Sequence, residues 1–204
     1  MTDRQFRRGL SGGVIVFAIA GFFWFGVSFG VITTRLGWLV WGLSTAFQLA
    51  MFAAILWAAL RLRRSSGFTR ADLKQADESQ RAETRHIAKA FGWTTLGQTL
   101  LIAAAVWWCV RAGVPDRILP VIGLIVSLHF VPLARVFHVR LYYVTALIGS
   151  LISLAAITFT GLNENLRLAC FGGGMTAVMW LTAGYILWNV DSITQRAMRR
   201  TWPV

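Results

Sequence analysis

Residues 9–60 read GLSGGVIVFAIAGFFWFGVSFGVITTRLGWLVWGLSTAFQLAMFAAILWAAL, two runs without charge, Gly9–Thr34 and Leu36–Leu60, of 26 and 25 residues, split by Arg35 alone. A bilayer core about 30 Å thick is crossed by roughly 20 apolar residues of helix, so each run is long enough to span it. The link Thr33–Gly37 is too short for anything but an immediate return, which predicts an antiparallel helical hairpin. Strands of a membrane barrel would be shorter and would alternate in polarity; these runs do neither.

Four more runs without charge follow: Ala90–Val110, Ile118–Ala134, Leu141–Asn163 and Leu168–Val190, of 21, 17, 23 and 23 residues. Together the six predict an all-α integral membrane protein, a six-transmembrane-helix bundle forming a single domain over residues 1–204. Composition agrees: 56% of the 204 residues are hydrophobic and 14% charged, against about 25% charged in soluble proteins. The fourth run is the shortest and holds Pro120, His129 and Pro132, so five spans is the competing count.

The net charge of +12 is not laid out as a basic groove with interleaved aromatics, which argues against a nucleic-acid partner. It follows topology instead. Arg4, Arg7, Arg8, the eight basic residues from Arg61 to Lys89, Arg135, Arg140, Arg196, Arg199 and Arg200 make 16 on one side of the membrane; Arg35, Arg111, Arg117 and Arg167 make 4 on the other. Basic residues are retained in the cytoplasm, so both termini are expected there, in a bacterial inner (plasma) membrane. Five spans would break this asymmetry. Arg7 and Arg8 ahead of Ala18-Ile19-Ala20 resemble a secretory leader, but the apolar run continues to Thr34, as an uncleaved span does.

The long connection, residues 65–89, reads as a solvated cytoplasmic helix opening on a capping box at Thr69 and Asp72. Small residues recur every fourth position at Gly42, Ala46, Ala50, Ala54 and Ala58, at Gly26 and Gly30, at Ala146 and Ser150, and at Gly149 and Ser153. Such faces let helix backbones approach closely in lipid, either within one chain or in a homo-oligomer. Trp38, Trp41, Trp107 and Trp108 fall near one interface and Trp57, Trp93 and Trp188 near the other, as an aromatic belt; Trp24 and Trp180 lie deeper. Cys109 and Cys170 both fall near the outer face, where a disulfide between them competes with two separate buried thiols.

The segment SLHFVPLARVFHVRLYY, Ser127–Tyr143, holds the densest chemistry. His129 is the only histidine within a span, and ionisable groups at that depth are functional candidates because burying them is costly. Pro132 frees the carbonyl of Leu128 from its helix hydrogen bond. Arg135, His138 and Arg140 make the following connection cationic, and Tyr142 and Tyr143 add phenols. If spans three and four are neighbours, Thr94, Thr95 and Gln98 join His129 at the same depth. The candidate polar pocket is therefore His129, Gln98, Thr95, Arg135, His138, Arg140 and Tyr142, opening inward to a small polar or anionic solute. The competing account is a buried histidine bonded to Gln98 or to a main-chain carbonyl, with the arginines enforcing topology alone.

This same segment, through His129, Pro132, Leu133, Ala134, Tyr142 and Tyr143, resembles a family of small multi-spanning bacterial membrane proteins with no assigned activity. The resemblance implies a six-helix membrane protein and no catalytic role. No Asp or Glu lies within any run, which argues against a proton- or sodium-coupled carrier. A second intramembrane histidine for haem, a metal-ligand cluster, a phosphate loop and a Ser-His-Asp set are also missing from the sequence, so no cofactor, metal or catalytic residue is expected. The function expected is passive or facilitated passage of a small solute; the alternatives are a non-catalytic membrane scaffold or accessory subunit and, third, a lipid-acting membrane enzyme.

Overall fold

The computed structural model describes residues 3–65, 78–137, 139–159, 161 and 163–201; side chains at 3–5, 8, 29–41, 44, 79–81, 83, 84 and 196–201 lie outside that description. Among the described residues the regular structure is helical throughout: α1 (Asp3–Ser65), α2 (Glu78–Arg111), a 3-10 turn (Pro115–Arg117) leading into α3 (Ile118–Phe137), α4 (Leu141–Thr158), α5 (Glu164–Trp188) and α6 (Val190–Thr201). Six segments are long and apolar enough to cross a membrane: Gly9–Ser28, Thr45–Ser65, Arg85–Arg111, Pro115–Phe137, Leu141–Thr158 and Glu164–Trp188. In the fourth, α3 runs unbroken through Pro132, so among the described residues there are six candidate spans and not five.

α1 is helical over 63 residues; drawn straight it would measure about 95 Å. Yet Gln48 Nε2 donates to the carbonyl of Phe22 at 3.2 Å, and the rings of Phe22 and Phe52 stand 5.2 Å apart. Positions 26 residues apart on a straight helix would be separated by about 39 Å. α1 therefore folds back on itself between residues 28 and 45, as the hairpin reading predicts. The reversal differs in one respect: residues 33–37 keep helical backbone, where the sequence suggests a loop.

The remaining connections are tight and locally explained. α2 ends at Gly113 with φ 69°; Val114 N–H donates to Cys109 O and Gly113 N–H to Val110 O, the paired bonds of a Schellman cap that only a residue tolerant of positive φ makes without strain. α5 starts at Asn163, whose side chain accepts from Asn165 N–H at 2.9 Å, satisfying a donor that would otherwise be orphaned at the helix start.

Close contacts fix the order of the helices. α5 packs most extensively against α1 and also against α4; α4 packs against α3; α2 packs against α3 and the 3-10 turn. The first limb of α1 runs antiparallel to α5 along its whole length. Ser28 Oγ donates to Ala169 O at 2.7 Å, Trp24 packs edge-on against Phe171, Thr176 Oγ1 donates to Gly21 O at 3.2 Å, and Arg7 pairs with Asp191 of α6 at 2.8 Å. Thr145 and Thr182 hydroxyls meet at 2.8 Å between α4 and α5. Between membrane helices a side-chain hydrogen bond contributes on average about 0.6 kcal/mol, so these contacts fix the pairing more than they hold it.

The closest approach is at Gly172. A Cβ there would lie 2.6 Å from Ser28 N and 2.7 Å from Trp24 O, main-chain atoms that cannot give way. The Gly149–Ser153 pair also packs as the sequence suggests, with Gly149 against Ser127 and Gly123 against Phe171 and Ser153. The longest small-residue stripe does not: Gly42, Ala46, Ala50 and Ala54 are exposed, and the second limb of α1 instead buries Gln48, Ile55 and Ala59. Gly26 likewise has open space around it, and Gly30 lies outside the described side chains. Ala-rich spacing permits close approach without choosing a direction, and here α5 takes up a different face of α1.

Trp57, Trp93, Trp107, Trp108 and Trp188 are exposed, and Trp24 and Trp180 are buried; the side chains of Trp38 and Trp41 lie outside the described residues. Arg61 sits over the Trp57 ring and Arg111 over the Trp107 ring. The connector is helical from Glu78 onward and continuous with the third span; its expected capping box at Thr69 and Asp72 lies outside the described residues.

Candidate functional site

α2 turns one face to its neighbour. Ile87, Ala90, Thr94, Gly97, Gln98, Ile102, Ala105 and Val106 are half-buried and Cys109 is buried, at spacings of three and four, while the rest of the span is exposed. That is a single helical stripe. Phe91 packs edge-on against Phe137 near the 135–140 end, with ring centroids 6.5 Å apart. Counting antiparallel from that contact carries Gln98 to the level of His129 and Phe130. Spans three and four are therefore neighbours, and their polar residues share a depth.

His129 is half-buried on α3, away from the face formed by Gly123, Ser127, Phe130 and Ala134, which is buried against the core. Its ring lies edge-on to Phe130. Among the described residues neither His129 nor Gln98 makes a hydrogen bond, so the bonded-histidine account does not describe this structure. Thr94 next to Gln98 returns its hydroxyl to Ala90 O and Phe91 O of its own helix, both at 3.0 Å.

The other pocket candidates do not converge on this pair. Thr95 is exposed, one residue off the buried stripe, because a step of 100° takes it out of the seam. Arg135 and Arg140 are both exposed. His138 lies outside the described residues. Tyr142 is buried: its ring packs with Phe17, Phe130 and Phe137, and its hydroxyl lies against Gly13 of α1. The phenol belongs to an aromatic knot of α1, α3 and α4. Of the seven residues, His129 and Gln98 are the two that are half-buried at matching levels of adjoining helices.

Cys109 is buried and Cys170 exposed, and both are free thiols. α2 carries Cys109 against α3, while Cys170 rides on α5, which packs chiefly against α1 and α4. No group of three His, Cys, Asp or Glu side chains able to hold a metal occurs among the described residues.

A second polar cluster, at the opposite end of the bundle, is built from residues that sequence reading assigned to topology alone. Arg167, in the first turns of α5 and 5% exposed, donates from Nη2 to Asp116 Oδ2 at 2.6 Å. Arg117 stands beside Asp116 in the 3-10 turn. The signal available in the sequence was the acid itself: Asp116 sits in a short loop between two arginines, on the side with few charges.

Residues 75–189 match a family model described as a family of unknown function, DUF7010. No curated protein and no solved structure matches the chain. The matched region begins in the connector and runs through α2, α3, α4 and α5, so it takes in both polar clusters.

Proposed function

The chain belongs to the DUF7010 family of unknown function, and we propose that it is a multi-pass membrane protein that passes a small polar or anionic solute along the seam between α2 and α3. What supports this reading is that His129 and Gln98 are both half-buried, on adjoining helices, and that neither makes a hydrogen bond among the described residues. Unpartnered groups at such depth are costly to keep; a passing solute would use them. α2 is attached through α3 and the 3-10 turn while little of its span is buried, so it has room to shift on a firmly packed core of α1, α3, α4 and α5. The 16-to-4 division of basic residues supports an inner-membrane setting with both termini cytoplasmic and the seam polar on its inward half. Exposed Arg135 and Arg140 would raise the local concentration of anions at that mouth.

The test is flux in vesicles reconstituted with the full chain, followed by swelling in glycerol or urea and by a halide-sensitive dye for chloride. His129→Ala and Gln98→Ala should each abolish the solute's flux, with thermal unfolding unchanged. Wild-type vesicles no more permeable than protein-free ones to every probe would remove this reading.

A second reading, a non-catalytic scaffold or homo-oligomer, is favoured by a different observation: the stripe Gly42, Ala46, Ala50 and Ala54 is exposed and unused within the chain. Oxidative crosslinking of Ala54→Cys, in a background lacking native cysteines, would give a dimer band if the stripe meets a second copy.

A further inference from the structure

We propose that Asp116, Arg117 and Arg167 form a binding site for a phosphate-bearing monoanion at the end of the bundle opposite His129. The cluster is two guanidinium groups served by one carboxylate. Asp116 Oδ2 takes Arg167 Nη2 at 2.6 Å, and among the described residues the Arg117 side chain, whose charge Asp116 feels, makes no hydrogen bond and no close ion pair. The Nε–H groups of both Arg117 and Arg167 are buried without an acceptor. One such donor is unusual; two around a single carboxylate leave an excess positive charge and a surplus of N–H groups in one place.

Position strengthens the argument. Arg167 is 5% exposed, so its charge has been taken out of water by the packing of α5 and not left to snorkel. It lies in the first turns of a 25-residue helix, whose positive dipole end adds to the field there. Asp116 keeps about a third of its side chain open (32%), which leaves the cluster reachable from its carboxylate side. A tetrahedral oxyanion with several acceptors suits planar N–H forks better than a carboxylate already committed to one of them. At the depth where the spans emerge, the source is either the phosphodiester of a lipid headgroup or a free phosphate in water. Both present the same chemistry to the arginines.

Asp116 then acts as the resident competitor. Removing its charge should free Arg167 for the ligand, while removing Arg117 should withdraw one of the two forks. The measurement is native mass spectrometry of the full chain in mixed micelles containing phosphatidylglycerol, with inorganic phosphate as the second probe. Wild type should retain one phosphate-bearing ligand per chain. Arg117→Gln should bind about tenfold more weakly, the loss of one charge-assisted contact, Arg117→Lys should recover part of it, and Asp116→Asn should bind more tightly. Retained lipid that millimolar phosphate does not displace assigns the site to a headgroup; phosphate bound alone and displacing lipid assigns it to the free anion. Thermal unfolding of Asp116→Asn gives a second readout, since the anion should restore stability lost with the carboxylate. Absence of binding by wild type, or binding indifferent to both substitutions in folded protein, would overturn the proposal.

Discussion

Gly172 of α5 meets Ser28 of α1 backbone to backbone, so near that a Cβ on the glycine would stand 2.6 Å from the serine nitrogen. The Ser28 hydroxyl completes the contact by donating to Ala169 O one turn earlier on α5. Gly172→Ala should therefore force the two helices apart and lower stability by about 1–3 kcal/mol, the range for overpacking. Gly173→Ala, whose Cβ would find Ser28 Oγ at an ordinary 3.6 Å, should be tolerated. Thermal unfolding of both variants in detergent, side by side, decides the point; equal effects would mean the approach is not rigid.

Asp116 and Arg167 set a second expectation. Taking one partner from a buried pair leaves the other uncompensated, which costs about 3–5 kcal/mol when both are buried. Asp116 is only partly covered, so without added anion Asp116→Asn should fall at or below the lower end of that range. A double replacement, Asp116→Leu with Arg167→Met, should be less damaging than Asp116→Asn alone, because the buried Arg167 charge is no longer left uncompensated.

His129 offers a clean separation of structure from activity. It makes no hydrogen bond among the described residues, so His129→Leu should fold as well as wild type or slightly better, having lost a polar group from an apolar seam. Flux should disappear in the same variant. A large loss of stability would instead reveal a bond that holds the bundle together.

Accessibility reports the topology. In a background without native cysteines, Gly161→Cys on the exposed link between α4 and α5 should react with a membrane-impermeant maleimide in intact cells. Ser65→Cys, exposed at the end of α1, should react only after permeabilisation. The reverse pattern would invert the orientation argued from the basic residues. For the native thiols, identical mobility with and without reductant is expected, since Cys109 and Cys170 are free.

The six candidate spans and the return of the first hairpin were legible because each depends on run length, which is one-dimensional. The adjacency of spans three and four was open, and the Phe91–Phe137 contact settles it. Which helix face meets which neighbour was not legible. The Gly42–Ala54 stripe and the Gly149–Ser153 pair have the same spacing, yet only the pair is buried. Gly172–Gly174 could have been noticed: three successive glycines weaken a helix, so their presence asks for a close neighbour. Tyr142 looked interfacial because it opens a span, but its position on the helix turned it towards α1. Arg167 looked like one more topological charge until its burial set it apart from the others.

The pairing of α1 with α5 also bears on how the chain is made. Ser28 waits for Ala169, 141 residues on, and Gly21 O for Thr176, 155 residues on. During synthesis Ser28 and the carbonyl of Gly21 are therefore made long before the groups of α5 with which they pair. The contact between the first limb of α1 and α5 thus cannot form until α5 has been made, which is the kind of sequence-distant pairing that slows folding.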